Sequence, residues 1–247
     1  MRKTYIISEL GINHIGNIEL AKQMIDLSAA CGVNAVKMQV YDTNRLYNGD
    51  TSAKSYKDSQ RGWFSYKNFR VLADYTPVSL DWFATPFDEE AVELLESIGV
   101  KQYKVASRSV IDHTLLKTIA KTHKPVFMST GKHPVETIKS AVDILNANEL
   151  TLLYCVTDYP TSVKDLNFGR MVKLGEMFKV PYGFSDHTTG IWASIEAVRL
   201  DAVVIEKHFT LSRNLDGCDQ ICSLEPQEMK LLVKSIRQYE SYTQASL

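Results

Sequence analysis

Tyr182-Gly-Phe-Ser-Asp-His-Thr-Thr-Gly-Ile-Trp-Ala-Ser-Ile-Glu-Ala-Val-Arg-Leu-Asp-Ala-Val-Val-Ile-Glu-Lys-His-Phe-Thr210 is the stretch on which the reading of this chain turns. A short run, Tyr182 to Phe184, ends in Ser185, Asp186 and His187. An amphipathic segment follows, and then Ala202 to Glu206 runs into Lys207 and His208. This is strand, helix, strand. A strand covered on both faces has an apolar body, so polar groups gathered at its carboxyl end are free to meet a ligand.

Outward from that unit the same alternation fills the chain. Further β-rich runs lie at Thr4 to Leu10, Asn34 to Val40, Asp81 to Ala84, Gln102 to Val105, Val126 to Ser129 and Thr151 to Cys155, which makes eight. Between them, Leu20, Met24, Leu27 and Ala30 repeat at helical spacing before Gly32. Asp88 is placed to cap a helix carrying Val92, Leu95 and Ile98, and Pro134 suits the first turn of one carrying Ile138, Val142 and Leu145. Eight strand-helix units without a linker predict an α/β protein, a single (β/α)8 TIM barrel over residues 1–247 with no second domain. Glu225 to Tyr239 supplies the eighth helix. The stretch Tyr41 to Tyr66, too long for an ordinary connection, is expected to be a lid or disordered.

Composition fits a globular chain: 247 residues, 45% hydrophobic and 23% charged. The 28 Lys and Arg nearly balance the 29 Asp and Glu, so no global field favours nucleic acid or an anionic membrane, and neither is expected as a partner. The amino terminus lacks the apolar region of a secretory leader, and no run is long enough to span a bilayer. Cys31, Cys155, Cys218 and Cys222 are scattered, as expected of thiols in a reducing cytoplasm.

A barrel hypothesis predicts reactive residues at strand ends. Those ends carry Glu9, Lys37 with Gln39, Thr85, Lys104 with Ser107, Ser129, Thr157 with Tyr159, Ser185 with His187, and His208. One polar residue or group at every strand end points to a pocket that does chemistry.

The runs Glu9-Leu-Gly-Ile-Asn-His-Ile-Gly-Asn17, Val36-Lys-Met-Gln39, Thr85-Pro-Phe87, Tyr103-Lys104, Ser129-Thr-Gly131, Tyr159-Pro160, Ser185-Asp-His-Thr188 and Glu206-Lys-His-Phe-Thr210 together resemble the sialic acid synthase family. The resemblance runs in order from the first strand to Pro226. It implies a (β/α)8 barrel transferase that condenses phosphoenolpyruvate with the open-chain aldehyde of an amino sugar, giving a nonulosonic acid and phosphate. It further implies a divalent metal, Mn²⁺ foremost, with Mg²⁺ or Co²⁺ as substitutes.

Carried residue by residue, the resemblance assigns phosphoenolpyruvate to Lys37, Thr85, Lys104, Ser107, Ser129 and Ser185, whose ammonium and hydroxyl groups suit a carboxylate and a phosphate. It assigns the metal to His187 and His208, with coordination completed by water and substrate. Two hydrogen-bonded histidines at a barrel rim are the plain alternative. Glu9 and Asp219 are the expected proton-handling carboxylates. Gln39 and Tyr159 are expected at the acceptor sugar.

Two departures bear on the acceptor. In the family the run after the fourth strand carries a glutamate that touches the sugar, whereas here Ser109 stands in its place with Arg108 beside it. Lys132 follows Ser-Thr-Gly where an apolar residue is common. The added cations suggest an acceptor bearing a carboxylate or phosphate, or else rim ion pairs. Family members also continue into an antifreeze-like domain that lends an arginine to the partner's sugar site. With no such domain expected after the eighth helix, that arginine is expected to be absent, replaced from within the barrel by Arg108, or supplied by a complementing protein partner, and the expectation of a homodimer weakens. A metal-dependent pyruvate aldolase or lyase, and a degenerate barrel serving as a sugar-binding or regulatory subunit, are the competing function classes.

Overall fold

The apolar runs form strands β1 (Tyr5–Gly11), β2 (Ala35–Val40), β3 (Asp81–Pro86), β4 (Tyr103–Val105), β5 (Val126–Ser129), β6 (Leu150–Tyr154), β7 (Tyr182–Asp186) and β8 (Val204–His208). They come from a computed structural model that describes residues 3–53 and 55–245. The strands pair in parallel in the order β3-β2-β1-β8-β7-β6-β5-β4, and β3 and β4 at the two ends lie side by side, so the sheet curls into a TIM barrel. β5 and β6 are buried along their whole length, which is why their sequences run mostly apolar instead of alternating.

β7 runs two residues beyond its apolar body, and β8 starts and ends two residues later than the sequence suggests. The reason is chemical. Ser185, Asp186, Lys207 and His208 stay in the ladder because each is buried against a polar partner, and hydrophobicity alone does not register such pairing.

The helices between the strands are α1 (Ile18–Cys31), α2 (Thr43–Leu46), α3 (Tyr56–Arg61), α4 (Tyr66–Tyr75), α5 (Glu89–Ile98), α6 (His113–Ala120), α7 (Val135–Ile144), α8 (Phe168–Phe178), α9 (Trp192–Arg199) and α10 (Pro226–Ala245). Asp88 caps α5 through the Ala91 amide as its position predicts, whereas Pro134 stands just ahead of α7 and not inside its first turn. The face of α1 is rotated from the expected one. Ala21, Met24, Ile25, Ser28 and Cys31 are buried and Leu27 is exposed, because small Ala21 and Ser28 let the helix approach the sheet and Ser28 bonds Ser8 of β1.

The described residues of the stretch from Tyr41 to Tyr66 form a cover carrying α2 and α3. Tyrosine hydroxyls explain its order: Tyr41 donates to the Ser59 carbonyl at 2.8 Å, Tyr47 bonds the Ser59 hydroxyl at 2.8 Å, and Tyr56 reaches Asn44 at 2.9 Å. The cover presses on the loop after β1 so closely that a Cβ on Gly62 would stand 2.6 Å from Cβ of Ile12. His14 of that loop stacks on Phe64, ring centroids 4.1 Å apart.

Candidate active site

Strand geometry explains how the polar groups gather. Side chains two residues apart share a face, so Lys37 and Gln39, Ser185 and His187, and Glu206 and His208 all turn inward at the carboxyl end of the barrel. With Glu9, Thr85, Lys104, Ser107, Ser129 and Tyr159 they line one cleft. With Thr157, twelve of the strand-end residues expected from the sequence therefore meet at one place.

The floor of the cleft is a chain of alternating charges. Glu9 Oε2 lies 2.7 Å from Lys37 Nζ, Lys37 lies 3.7 Å from Glu206 Oε2, and Glu206 Oε1 lies 3.7 Å from Lys104 Nζ. Hydroxyls occupy the flanks: Lys37 donates to Thr85 at 3.0 Å, Lys104 to Ser129 at 2.7 Å, and Ser185 to Glu206 at 2.8 Å. Glu9 Oε1 also accepts from Gln39 at 2.9 Å.

This arrangement sets the two carboxylates apart. Burial would raise both, but at Glu206 it is overcome by Lys104, Lys37 and the Ser185 hydroxyl, which bring the group down to about 2. At Glu9 burial prevails over Lys37, and the carboxyl is raised. Burial lowers Lys104 despite Glu206, whereas at Lys37 the two neighbouring carboxylates outweigh burial and raise it. Lys37 and Glu206 are thus fixed charges, and Glu9 is the carboxyl suited to hold and release a proton.

The two histidines stand above that floor, ring centroids 5.4 Å apart. His187 Nδ1 lies 2.6 Å from the Val156 carbonyl; a carbonyl only accepts, so Nδ1 carries the proton and the Nε2 lone pair, 3.4 Å from the Ser185 hydroxyl, is left free. His208 Nδ1 is buried without a hydrogen-bond partner and lies 3.6 Å from Asp219 Oδ2. Burial lowers both rings to about 4, so both are neutral at pH 7. Two neutral imidazoles with an unspent nitrogen suit a divalent metal. Among the described residues no three or more His, Cys, Asp or Glu side chains are grouped to hold one, so water or substrate oxygens would complete its coordination.

Outside the floor the barrel widens into an open cavity lined by Ile12, Leu46, Tyr47, Phe87, Pro160 and Asp219, together with Gln39, Ser107, Arg108 and Tyr159. Tyr159 stacks on His187 at 4.1 Å. The guanidinium of Arg108 donates to the Leu46 carbonyl at 3.0 Å and lies over the Tyr47 ring, so it borders the cavity from the cover side.

Ser109, expected at the acceptor sugar, lies to one side of the outer cavity. It is buried and borders a neighbouring cleft with Arg45, Asn48 and Asp112, because the 3-10 turn Ser107–Ile111 swings successive side chains apart. Lys132 is paired with Asp158 at 2.8 Å and forms a rim ion pair. Glu206, the middle of the charge chain, was visible in the sequence only as a neighbour of His208. The two-residue period that places His208 inward also places Glu206 there. Phe87 and Cys155, two residues from the strand-end residues Thr85 and Thr157, line the cleft by the same logic.

The sequence profile of the NeuB family matches residues 24–246. The chain belongs to the NeuB family. Its relatives in that family include N,N'-diacetyllegionaminic acid synthase of Campylobacter jejuni, 36% identical over 97% of this chain and 77% of that protein. Another is N-acetylneuraminate-9-phosphate synthase of Homo sapiens, 33% identical over 96% of this chain and 70% of that protein. Among solved NeuB-like structures, the N-acetylneuraminic acid synthetase of Leptospira borgpetersenii superposes with a TM-score of 0.93 at 33% identity, covering 97% of this chain and 85% of that one. No helix of the described residues is long and apolar enough to cross a membrane.

Proposed function

We propose that this NeuB-family barrel is a transferase that condenses phosphoenolpyruvate with the open-chain aldehyde of an acylated amino sugar, giving a 2-keto-3-deoxy sugar acid of the nonulosonic type and phosphate. The observation that carries this reading is the floor: two buried lysines with hydroxyls from β3, β5 and β7 around them, directly beneath two neutral imidazoles. A small trianionic ligand suits those ammonium and hydroxyl groups. The relatives' names, synthases of nonulosonic acids, support the same chemistry.

In this reading Lys37 and Lys104, with Thr85, Ser107, Ser129 and Ser185, hold the phosphate and carboxylate of phosphoenolpyruvate. His187 and His208 would hold a divalent ion, Mn²⁺ foremost with Mg²⁺ or Co²⁺ as substitutes, which would supply Lewis acidity toward a carbonyl oxygen. C3 of phosphoenolpyruvate attacks the aldehyde carbon and the aldehyde oxygen takes up a proton. Water adds at C2 and gives up a proton, and the tetrahedral centre expels phosphate. Glu9, with its raised pKa, and Asp219, beside His208, are the groups that accept and return those protons.

The acceptor occupies the outer cavity against Gln39, Tyr159 and Arg108, where the apolar walls of Leu46, Tyr47, Phe87 and Pro160 suit acyl methyl groups. The four free thiols are consistent with a cytoplasmic enzyme. The test is phosphate release from phosphoenolpyruvate with Mn²⁺ against a panel of aldoses and amino sugars, with mass spectrometry of the product. An adduct of acceptor and pyruvate formed with stoichiometric phosphate is expected, and His187→Ala should abolish it. Adduct from pyruvate without phosphate would mark aldolase chemistry. Absence of both turnover and phosphoenolpyruvate binding would sink the synthase reading.

A further inference from the structure

Directly behind the two histidines lies an ion pair that touches neither cleft. Asp186 of β7 and Lys207 of β8 are register partners across the ladder, their charged atoms are 3.1 Å apart, and both side chains are fully buried. They alternate with the inward pair Ser185 and Glu206 and therefore point away from the barrel lumen, toward α9. His187 follows Asp186 in the chain, and His208 follows Lys207.

Apart from one bond to α9, the polar contacts of this pair close on Thr188, in the turn that bears His187. Asp186 Oδ1 accepts from the amide and the hydroxyl of Thr188, each at 2.8 Å, and Oδ2 accepts from Ser194 of α9 at 2.6 Å. Lys207 donates to the Thr188 carbonyl. On the far side the His187 carbonyl accepts from the Thr161 amide at 2.8 Å. The residues before and after His187 are thus tied to β8 and α9 by charged groups.

Stability does not account for such a pair. Removing two charges from water costs about as much as their attraction returns, and apolar residues of equal volume commonly serve as well. What an ion pair with fixed hydrogen bonds supplies is directional restraint. We propose that Asp186 and Lys207 are positioning residues, a cross-strand clamp that sets the spacing and orientation of the His187 and His208 rings and thereby tunes their affinity for a divalent cation. The inference rests on the metal assignment above, and it adds a determinant that lies outside the cleft.

The test is Mn²⁺ binding to the purified chain, followed by the electron paramagnetic resonance of the free ion. Calorimetric phosphoenolpyruvate binding without metal, and thermal melting, are measured alongside. Lys207→Met is expected to weaken Mn²⁺ binding roughly tenfold or more while leaving metal-free phosphoenolpyruvate affinity within about twofold. Its kcat should return toward the wild-type value at saturating Mn²⁺, which damage elsewhere in the barrel would not permit. Ser194→Ala keeps both charges and removes one bond to Asp186. It is expected to weaken Mn²⁺ about threefold and decides the matter should Lys207→Met fail to fold. Mn²⁺ affinity unchanged in the folded variants, with loss in His187→Ala, overturns the clamp and leaves the metal assignment standing. Undiminished affinity in His187→Ala overturns both.

Discussion

Glu9 and Lys37 face one another at 2.7 Å beneath the barrel mouth, with less than a twentieth of either side chain exposed. Lys37 also lies near Glu206, so Lys37→Met would remove the ion-pair partner of Glu9 and leave Glu206 with Lys104 at 3.7 Å. Loss of one partner from a buried pair typically costs about 3–5 kcal/mol. The variant should lose that much stability in urea titration and lose phosphoenolpyruvate binding. A change of under about 1 kcal/mol, the size expected of an exposed pair, would mean that the floor charges are not coupled.

Gly131 adopts φ +53°, and a Cβ built on it would stand 1.9 Å from the Ser107 hydroxyl. Gly131→Ala therefore carries backbone strain and also displaces a proposed phosphoenolpyruvate donor. A destabilisation of about 1–2 kcal/mol is expected. The KM for phosphoenolpyruvate should rise more than the KM for the acceptor. Ser107→Ala in the same chain removes the nearest clashing atom and should recover part of the stability without recovering the KM. Equal KM changes for both substrates would argue that Ser107 does not serve the inner ligand.

His14, stacked on Phe64, is lowered by burial to about 3 from a usual 6.5. Between those values the unfolded chain binds a proton that the folded chain does not. Stability therefore falls as pH drops from about 6.5 toward 3, and this residue has no effect above that window. His187 and His208 act in the same direction. His14→Gln should make the pH dependence of the urea midpoint between pH 7 and 5 shallower, by up to roughly one proton. Parallel curves for the two proteins would sink this account.

Arg108 reaches the outer cavity from the cover, held by the Leu46 carbonyl and the Tyr47 ring. It is exposed, so Arg108→Ala should change stability by no more than about 0.5 kcal/mol. Its effect should fall on the acceptor: KM for the sugar rises while KM for phosphoenolpyruvate holds. The opposite split, measured by varying each substrate at saturating levels of the other, would move Arg108 to the inner ligand.

The barrel was legible because eight apolar runs alternate with helical spacing, and each run ends in a polar residue. Lys37, Lys104 and His208 were found by that rule. The rule is weaker at edges and faces. β7 and β8 extend through Asp186 and His208 because buried polar partners continue the ladder, a fact of tertiary pairing that no hydrophobic pattern carries. Ser109 was assigned to the sugar from its place in a motif, but the direction of its side chain depends on the 3-10 turn. The stretch from Tyr41 to Tyr66 looked irregular because its order comes from tyrosine hydroxyls and one close glycine contact rather than from a periodic face.

The inner cleft and the outer cavity share Gln39, Phe87, Ala106, Ser107, Thr157 and Tyr159, so one opens into the other. That nesting has a kinetic consequence. The inner ligand must arrive before the outer one, and whatever fragment remains on the lysines leaves last. Inorganic phosphate should then compete with phosphoenolpyruvate and act noncompetitively toward the sugar, making the order of turnover readable from product inhibition alone.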